Sequence, residues 1–300
     1  MTRFVDGALA SGADGIILDL EDSVAAHQKS EARSWVRKTL KERDFGRKEK
    51  CVRINSPQTS LGYEDILTVV EGRPDSLVLP KISTREEVLQ ADAMVAAAEK
   101  DAGIEPGSVA LLAFIELPEG VGNAVDVATS CKRLSGLLFG AVDFTRATHA
   151  HITESRIELY YAMSRILCAA RVAGIDALDA VCISVRDQQR VEREAQQAML
   201  LGYDGKLAIH PDQLAPINRV FTPSQEEVRR WVHVVDSYRA SEQAGRGATT
   251  VDGKLVEKPH IDMAARVLAI ADAAGMLSDN DRGRARWAQD ALASWSEANH

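Results

Sequence analysis

Seven short, nearly uninterrupted apolar runs recur along this chain, each closed by polar residues and parted from the next by a longer amphipathic stretch. They fall at 15–19, 51–55, 76–80, 109–116, 136–140, 178–183 and 205–209. Runs that are apolar at every position, rather than at every second one, suit parallel strands covered on both faces. The stretches between them, roughly 23–43, 61–71, 84–101, 119–132, 153–173 and 187–201, predict helices. Thr84 and Glu87 form a capping-box start for one of them. This rhythm favours a (β/α)8 TIM barrel over an open doubly wound sheet. The opening helix, residues 3–11, has no strand before it, so the barrel is expected to lack its first strand. Neither a GxGxxG nor a GxxxxGK[ST] motif occurs, which argues against a nucleotide-binding Rossmann fold.

The pattern changes after Pro223. Ser224 and Glu227 start a helix over 224–243, a loop with three glycines follows at 245–254, and two further helices are expected at 260–275 and 279–297. The expected division is therefore a barrel domain, 1–223, and a C-terminal helical lid or oligomerisation segment, 224–300, carried on a mobile approach at 245–253. Ile261, Ala264, Val267 and Leu268 form an apolar stripe that needs a partner, either the barrel of the same chain or another subunit.

With 300 residues, 45% of them apolar, the chain can hold a barrel of about 250 residues and a tail around a large core. No apolar run reaches the roughly 20 residues that span a bilayer. The first residues carry no signal-peptide core, so a cytoplasmic protein is expected. A net charge of -8 argues against broad binding to nucleic acid or anionic membrane, while leaving room for a local basic pocket for an anionic cofactor. Cys51, Cys131, Cys168 and Cys182 form no CxxC pair, and their apolar neighbours suit buried thiols.

In a barrel, chemistry sits at the C-terminal ends of the strands. Asp19, Glu21 and Asp22 close the first visible strand, Arg53 lies in the second, and Lys81 follows the third. Glu116 ends the fourth, Asp143 follows the fifth, and His210 ends the last. Two carboxylates from consecutive strands, Glu116 and Asp143, suit Mg²⁺, which takes few protein ligands and keeps water or substrate oxygens. The alternative is a helix cap or an ion pair at each. Arg53 could bind a substrate carboxylate bidentately, or pair with Glu21 or Asp22. Lys81 suits a Schiff base or a salt bridge to the acidic cluster. His149 and His151 could chelate a transition metal, although histidines in a polar loop are commonly solvated. Asp187 suits a helix start.

These same positions carry a family resemblance. The segment from Ser11 to Val24 (SGADGIILDLEDSV) resembles the opening signature of the citrate lyase beta-subunit-like branch of the HpcH/HpaI aldolase family. The blocks VRINS (52–56), LPKI (79–82), FIELPEG (114–120), FGAVDF (139–144) and GYDGKLAIHP (202–211) follow in the family's order. The resemblance implies a TIM-barrel, Mg²⁺-dependent carbon–carbon lyase that cleaves or forms a hydroxy-dicarboxylic acyl-coenzyme A thioester, with a short keto acid as the other product. It also implies Glu116 and Asp143 as metal ligands and Arg53 as the residue that grips the substrate. Glu21, Asp22, Lys81, Ala141 and Val142 fall among its substrate-binding positions, and a homotrimer is implied. The alternatives are a malyl-CoA-type thioesterase, a keto-acid aldolase that uses no coenzyme A, or a non-catalytic acyl-CoA-binding protein. Two further departures accompany the missing first strand. Val142 stands where relatives usually carry Glu, ahead of an unusual 145–151 segment. Glu257, in Val-Glu-Lys-Pro-His, stands where the C-terminal motif usually carries Asp, and is expected to be the acid/base, delivered to a neighbouring subunit's site by the mobile tail; the alternative is a carboxylate that sits in the first-turn region of the next helix, favoured by its dipole.

Overall fold

The computed structural model describes residues 2–297. The chain forms two compact units, one up to Asn218 and one from Arg219 onward.

In the first unit, helix α1 (Thr2–Leu9) precedes an alternation of strands and helices: β1 (Gly15–Asp19), α2 (Lys29–Glu42), β2 (Glu49–Arg53), α3 (Ser60–Val70), β3 (Ser76–Leu79), α4 (Arg85–Asp101) and β4 (Ala110–Ile115). Two short helices, α5 (Pro118–Gly122) and α6 (Ala124–Ala128), lead to β5 (Leu134–Phe139) and α7 (Ala141–Thr148). Then come α8 (Tyr160–Ala173), β6 (Asp176–Asp179), α9 (Gln188–Leu201), β7 (Gly205–Lys206) and α10 (Leu214–Phe221). All seven strands are parallel, and each pairs with the next in chain order. Among the described residues no strand joins the outer edges of β1 and β7. This is the TIM-type barrel short of one strand that the apolar runs predict.

Alternation along each strand sorts the side chains into two layers. Cys51, Val78, Leu112, Phe114 and Leu138 pack together on the inner face, with Ile17, Leu178 and Leu207 against them. Their neighbours Val52, Leu77, Leu79, Leu111, Ala113, Leu137 and Phe139 are buried on the other face. Two residues beyond the inner layer, the same face carries Asp19 after Ile17, Arg53 after Cys51, and Glu116 after Phe114. The apolar plug thus ends where the charged groups begin.

Several expectations need correction. β6 occupies Asp176–Asp179 rather than 178–183. Cys182 leaves the ladder, and its carbonyl accepts a hydrogen bond from Gln213 Nε2 (2.9 Å). Residues 119–132 break into two short helices, with Asn123 between them donating from Nδ2 to the Ser83 carbonyl (3.0 Å). α7 lies outside the helical stretches that the sequence predicts. Cys51 and Cys182 are buried and Cys131 is half-buried, but Cys168 is exposed, because α8 turns Ala162, Met163, Ile166, Ala169 and Ala170 inward instead.

Asp179 points between the sheet and the helices, into a buried ionic network. Its carboxylate accepts from Arg156 Nη2 (2.7 Å) and Lys206 Nζ (2.7 Å). Glu194 on α9 lies 3.3 Å from the same ammonium and accepts from Arg190 Nε (3.0 Å). Burial would raise the Asp179 carboxyl pKa, but Lys206 and Arg156 outweigh it and hold it below the usual range. Arg156 is almost fully buried at the end of the irregular segment that follows α7.

The second unit comprises α11 (Gln225–Gln243), a hairpin of β8 (Thr249–Val251) and β9 (Lys254–Val256), α12 (Lys258–Ala273) and α13 (Asp279–Glu297). The glycine-bearing stretch after Gly245 is therefore not simply a mobile loop. Asp252 and Gly253 both have positive φ (51° and 73°), the backbone of a tight Asp-Gly hairpin turn, and Val251 and Val256 are buried. They join Trp231, Val235, Tyr238, Ile261, Ala264, Leu268 and Ala288 in the unit's own core. The stripe on α12 thus finds its partners on α11 and α13 and supplies no argument for a second subunit.

Candidate functional site

The strand ends of the first unit bring five carboxylates and three cations together. Arg53 is gripped by Asp19 through two hydrogen bonds, Nε to Oδ1 (2.8 Å) and Nη2 to Oδ2 (2.6 Å). The two residues are direct partners in the β1–β2 register, which places the fork opposite the carboxylate. Nη1 lies 3.2 Å from Glu21 Oε2, and the guanidinium stacks on the Phe114 ring at 5.8 Å. Burial opposes the Arg53 charge, but the Asp19 pair prevails and raises its pKa; Asp19 is held low by the same contact in spite of its own burial. Of the two partners expected for Arg53, Glu21 is present and Asp22 is not. Asp22 pairs with Lys81 instead.

Lys81 bridges the acidic turn after β1. Its Nζ donates to Glu21 Oε1 and to Asp22 Oδ2 (3.1 Å). That turn is fixed from below: Lys29 Nζ donates to the Leu20 and Glu21 carbonyls, both at 2.6 Å, and Asn55 Nδ2 to the Leu20 carbonyl at 3.0 Å. With its ammonium engaged by two carboxylates, Lys81 has a raised pKa in spite of burial, the reverse of what a Schiff-base amine needs.

Glu116 is buried, and its Oε1 accepts the backbone N–H of Lys81 (2.9 Å). Burial pushes its carboxyl up to about 7; the Lys81 amide and ammonium oppose the rise, and the neighbouring charges of Asp143 and Glu21 add to it. The other oxygen lies against Gly140. A Cβ at position 140 would stand 2.5 Å from Glu116 Oε2, so only glycine leaves room for the carboxylate. Gly140 is also the residue that turns β5 into α7, whose first turn carries Ala141, buried, Val142, half-exposed, and Asp143. Asp143 Oδ1 accepts from Arg146 Nε (3.1 Å) and Nη2 (2.7 Å), one turn along.

With every carboxyl ionised, Asp19, Glu21, Asp22, Glu116 and Asp143 against Arg53, Lys81 and Arg146 leave the cluster a formal excess of two negative charges, and Glu116, pushed up to about 7, carries its share only in part near neutral pH until a cation binds. Among the described residues no group of three or more His, Cys, Asp or Glu side chains forms a metal cage. Two carboxylates beside this formal excess fit a hard divalent cation that completes its shell with water or substrate oxygens.

The remaining candidates have other local roles. His149 ends α7 with left-handed backbone, and His151 is exposed in the following loop. Asp187 caps α9 by accepting the Arg190 N–H (3.0 Å). His210 Nδ1 accepts the Asp212 N–H (3.2 Å), a capping role. Glu257 is exposed at the N-cap of α12, where His260 Nδ1 accepts its backbone N–H (3.1 Å). The sequence places Asp19 at a strand end but does not show that it, rather than Glu21 or Asp22, grips Arg53, and it carries no signal for the parts that Gly140 and Arg146 play.

Comparison with known proteins shows the family. Residues 2–211 match the family model for HpcH/HpaI aldolase/citrate lyase. The chain is 37% identical over 264 residues to the citrate lyase subunit beta of Escherichia coli K12, covering 88% of this chain and 87% of that one. It is 33% identical over 271 residues to a (3S)-malyl-CoA thioesterase of Cereibacter sphaeroides, covering 90% and 91%. The solved CitE protein of Mycobacterium tuberculosis, in complex with magnesium, acetoacetate and coenzyme A, aligns with a TM-score of 0.69 at 28% identity over 90% of this chain and 94% of that one. The chain belongs to the HpcH/HpaI aldolase/citrate lyase family.

Proposed function

We propose that this protein is a Mg²⁺-dependent carbon–carbon lyase that cleaves, or forms, a hydroxy-dicarboxylic acyl-coenzyme A thioester, with oxaloacetate, pyruvate or glyoxylate as the keto-acid partner. The observation that carries the reading is the convergence of Glu116 and Asp143 on one mouth that keeps a formal excess of two negative charges. The magnesium and coenzyme A bound by the M. tuberculosis CitE protein support it.

Glu116 and Asp143 would hold the metal, and Gly140 would keep Glu116 in place. Bound there, Mg²⁺ would polarise the substrate's hydroxyl or keto oxygen. Arg53, its plane fixed by Asp19 and Phe114, would offer its remaining guanidinium hydrogens to the substrate carboxylate. The first turn of α7, Ala141 and Val142, would line the substrate's approach; with valine instead of glutamate it adds no further negative charge there.

The test is a panel of citryl, malyl, methylmalyl and citramalyl thioesters assayed with and without Mg²⁺. A lyase releases a keto acid only with the metal. Free coenzyme A without a keto acid would instead assign the thioesterase chemistry named for the Cereibacter sphaeroides relative. Neither product from any thioester would leave a binding protein.

Arg53→Lys is expected to lose about 10-fold or more in keto-acid affinity, since the ammonium cannot reproduce the planar fork. Unchanged affinity in both Arg53→Lys and Arg53→Ala, read by calorimetric titration, would make the Asp19–Arg53 pair purely structural.

Glu257 is the proposed acid/base. Glu257→Gln keeps the backbone cap of α12 and is expected to lower turnover by about 10²-fold while thioester binding stays the same. If turnover is retained and only the melting temperature falls, Glu257 serves α12 alone.

A further inference from the structure

We propose that Lys81 is a positioning residue: its backbone amide, held in a left-handed conformation by its own side chain, sets the orientation of the Glu116 carboxylate. This rests on the reading above that Glu116 holds the metal.

Lys81 has φ of 53°, one of five non-glycine residues with positive φ among those described. A lysine gains nothing from that region, where its Cβ crowds the following carbonyl. The chain adopts it directly after Pro80, which has no N–H to give, at the end of a fully buried strand. With this φ the Lys81 N–H donates to Glu116 Oε1 (2.9 Å) while the chain beyond it still turns the Ile82 N–H onto the Phe114 carbonyl (3.1 Å).

The side chain supplies the hold. Its ammonium is taken by Glu21 and Asp22, and Glu21 is buried in a turn that Lys29 and Asn55 pin through its carbonyls. An ion pair anchored on a rigid turn keeps its cost-bearing backbone in place. Glu116 is thus set from two sides, by the Lys81 amide on one oxygen and by the bare Cα of Gly140 beside the other. In this assignment Lys81 touches neither substrate nor metal.

Two substitutions separate backbone from charge. Lys81→Gly and Lys81→Ala both remove the ammonium, but only glycine occupies the left-handed region without a steric cost. Titrated with Mg²⁺ or Mn²⁺ on the full chain, Lys81→Ala should bind about fivefold or more weakly than Lys81→Gly. A second readout needs no metal. Hydrogen exchange at the Lys81 amide of the metal-free protein should accelerate about tenfold in Glu116→Ala, which removes the acceptor, and also in Glu21→Ala, which removes the anchor. Equal metal affinity in the alanine and glycine variants, or unchanged exchange in either of the other two, would overturn the assignment. A wild-type chain that binds no Mg²⁺ but shows both exchange effects would instead overturn the metal reading and leave the positioning role standing.

Discussion

Glu116→Gln and Asp143→Asn are each expected to lower Mg²⁺-dependent turnover by about 10³-fold, the loss of roughly 4 kcal/mol of transition-state stabilisation. Glutamine at 116 retains an oxygen for the Lys81 amide, so the loop after β3 keeps its contact and the fold should survive. The formal charge excess of the cluster, counted with every carboxyl ionised, falls from two to one in either variant, and with it the attraction for a divalent cation. Gly140→Ala reaches the same end by a different route. The added methyl would stand 2.3 Å from Glu116 Cβ and 2.5 Å from its Oε2; rotating the carboxylate relieves only the second clash, so the backbone must also shift and carry Glu116 away from the Lys81 amide. Its metal affinity is expected to fall about 10-fold, within the range found when a metal ligand loses its support. Metal titration beside steady-state kinetics at sub-millimolar Mg²⁺ checks all three. Wild-type turnover in Glu116→Gln or Asp143→Asn under those conditions would remove the pair as ligands.

Arg156→Leu is expected to destabilise the first unit by about 3–5 kcal/mol, the usual consequence of removing one partner from a buried ion pair. The loss comes from Asp179, which is fully buried and would keep Lys206 alone for the charge that two cations now neutralise. Adding Asp179→Leu should restore much of that stability, because Lys206 still has Glu194 at 3.3 Å and no buried carboxylate is then short of a partner. Arg146→Leu gives the contrast. Its ion pair with Asp143 is an exposed contact within α7, and removing it should change stability by no more than about 0.5 kcal/mol. Urea denaturation of the four proteins, followed by far-UV circular dichroism, separates these cases. Equal stability of Arg156→Leu and wild type would show that the network is not needed to hold the sheet to its helices.

Much of the architecture can be read from one dimension. Strands buried on both faces have to be apolar at every position, and the helices that cover them have to be amphipathic, so the seven runs and their order are visible without any contact information. The polar residues that end those runs are visible for the same reason: Arg53, Glu116 and Asp143 stand out against an apolar background. The failures are local and have physical causes. β6 is displaced because the apolar residues 180–183 prolong the run in sequence, whereas the ladder starts at Asp176 and ends at Asp179, whose buried charge is neutralised by residues 23 and 27 positions away. α7 escapes notice because its 8 residues bury only Ala141, Phe144 and Thr145, too short a pattern to show a period.

The site divides in the same way. Residue types and strand ends, which depend on chemistry and on a period of two, were determined by the sequence: carboxylates, an arginine and a lysine gathered at one rim. Which of them pair was decided only by tertiary structure. Asp19 takes Arg53 because the β1–β2 register sets them opposite each other, and Asp22 goes to Lys81 because Glu21 occupies the buried side of the turn. The clearance at Gly140 and the left-handed turn at Lys81 exist only when β3, β4 and β5 lie side by side. Short-range chemistry follows from composition and period, whereas a carboxylate's orientation depends on distances between strands that the chain brings together only by folding.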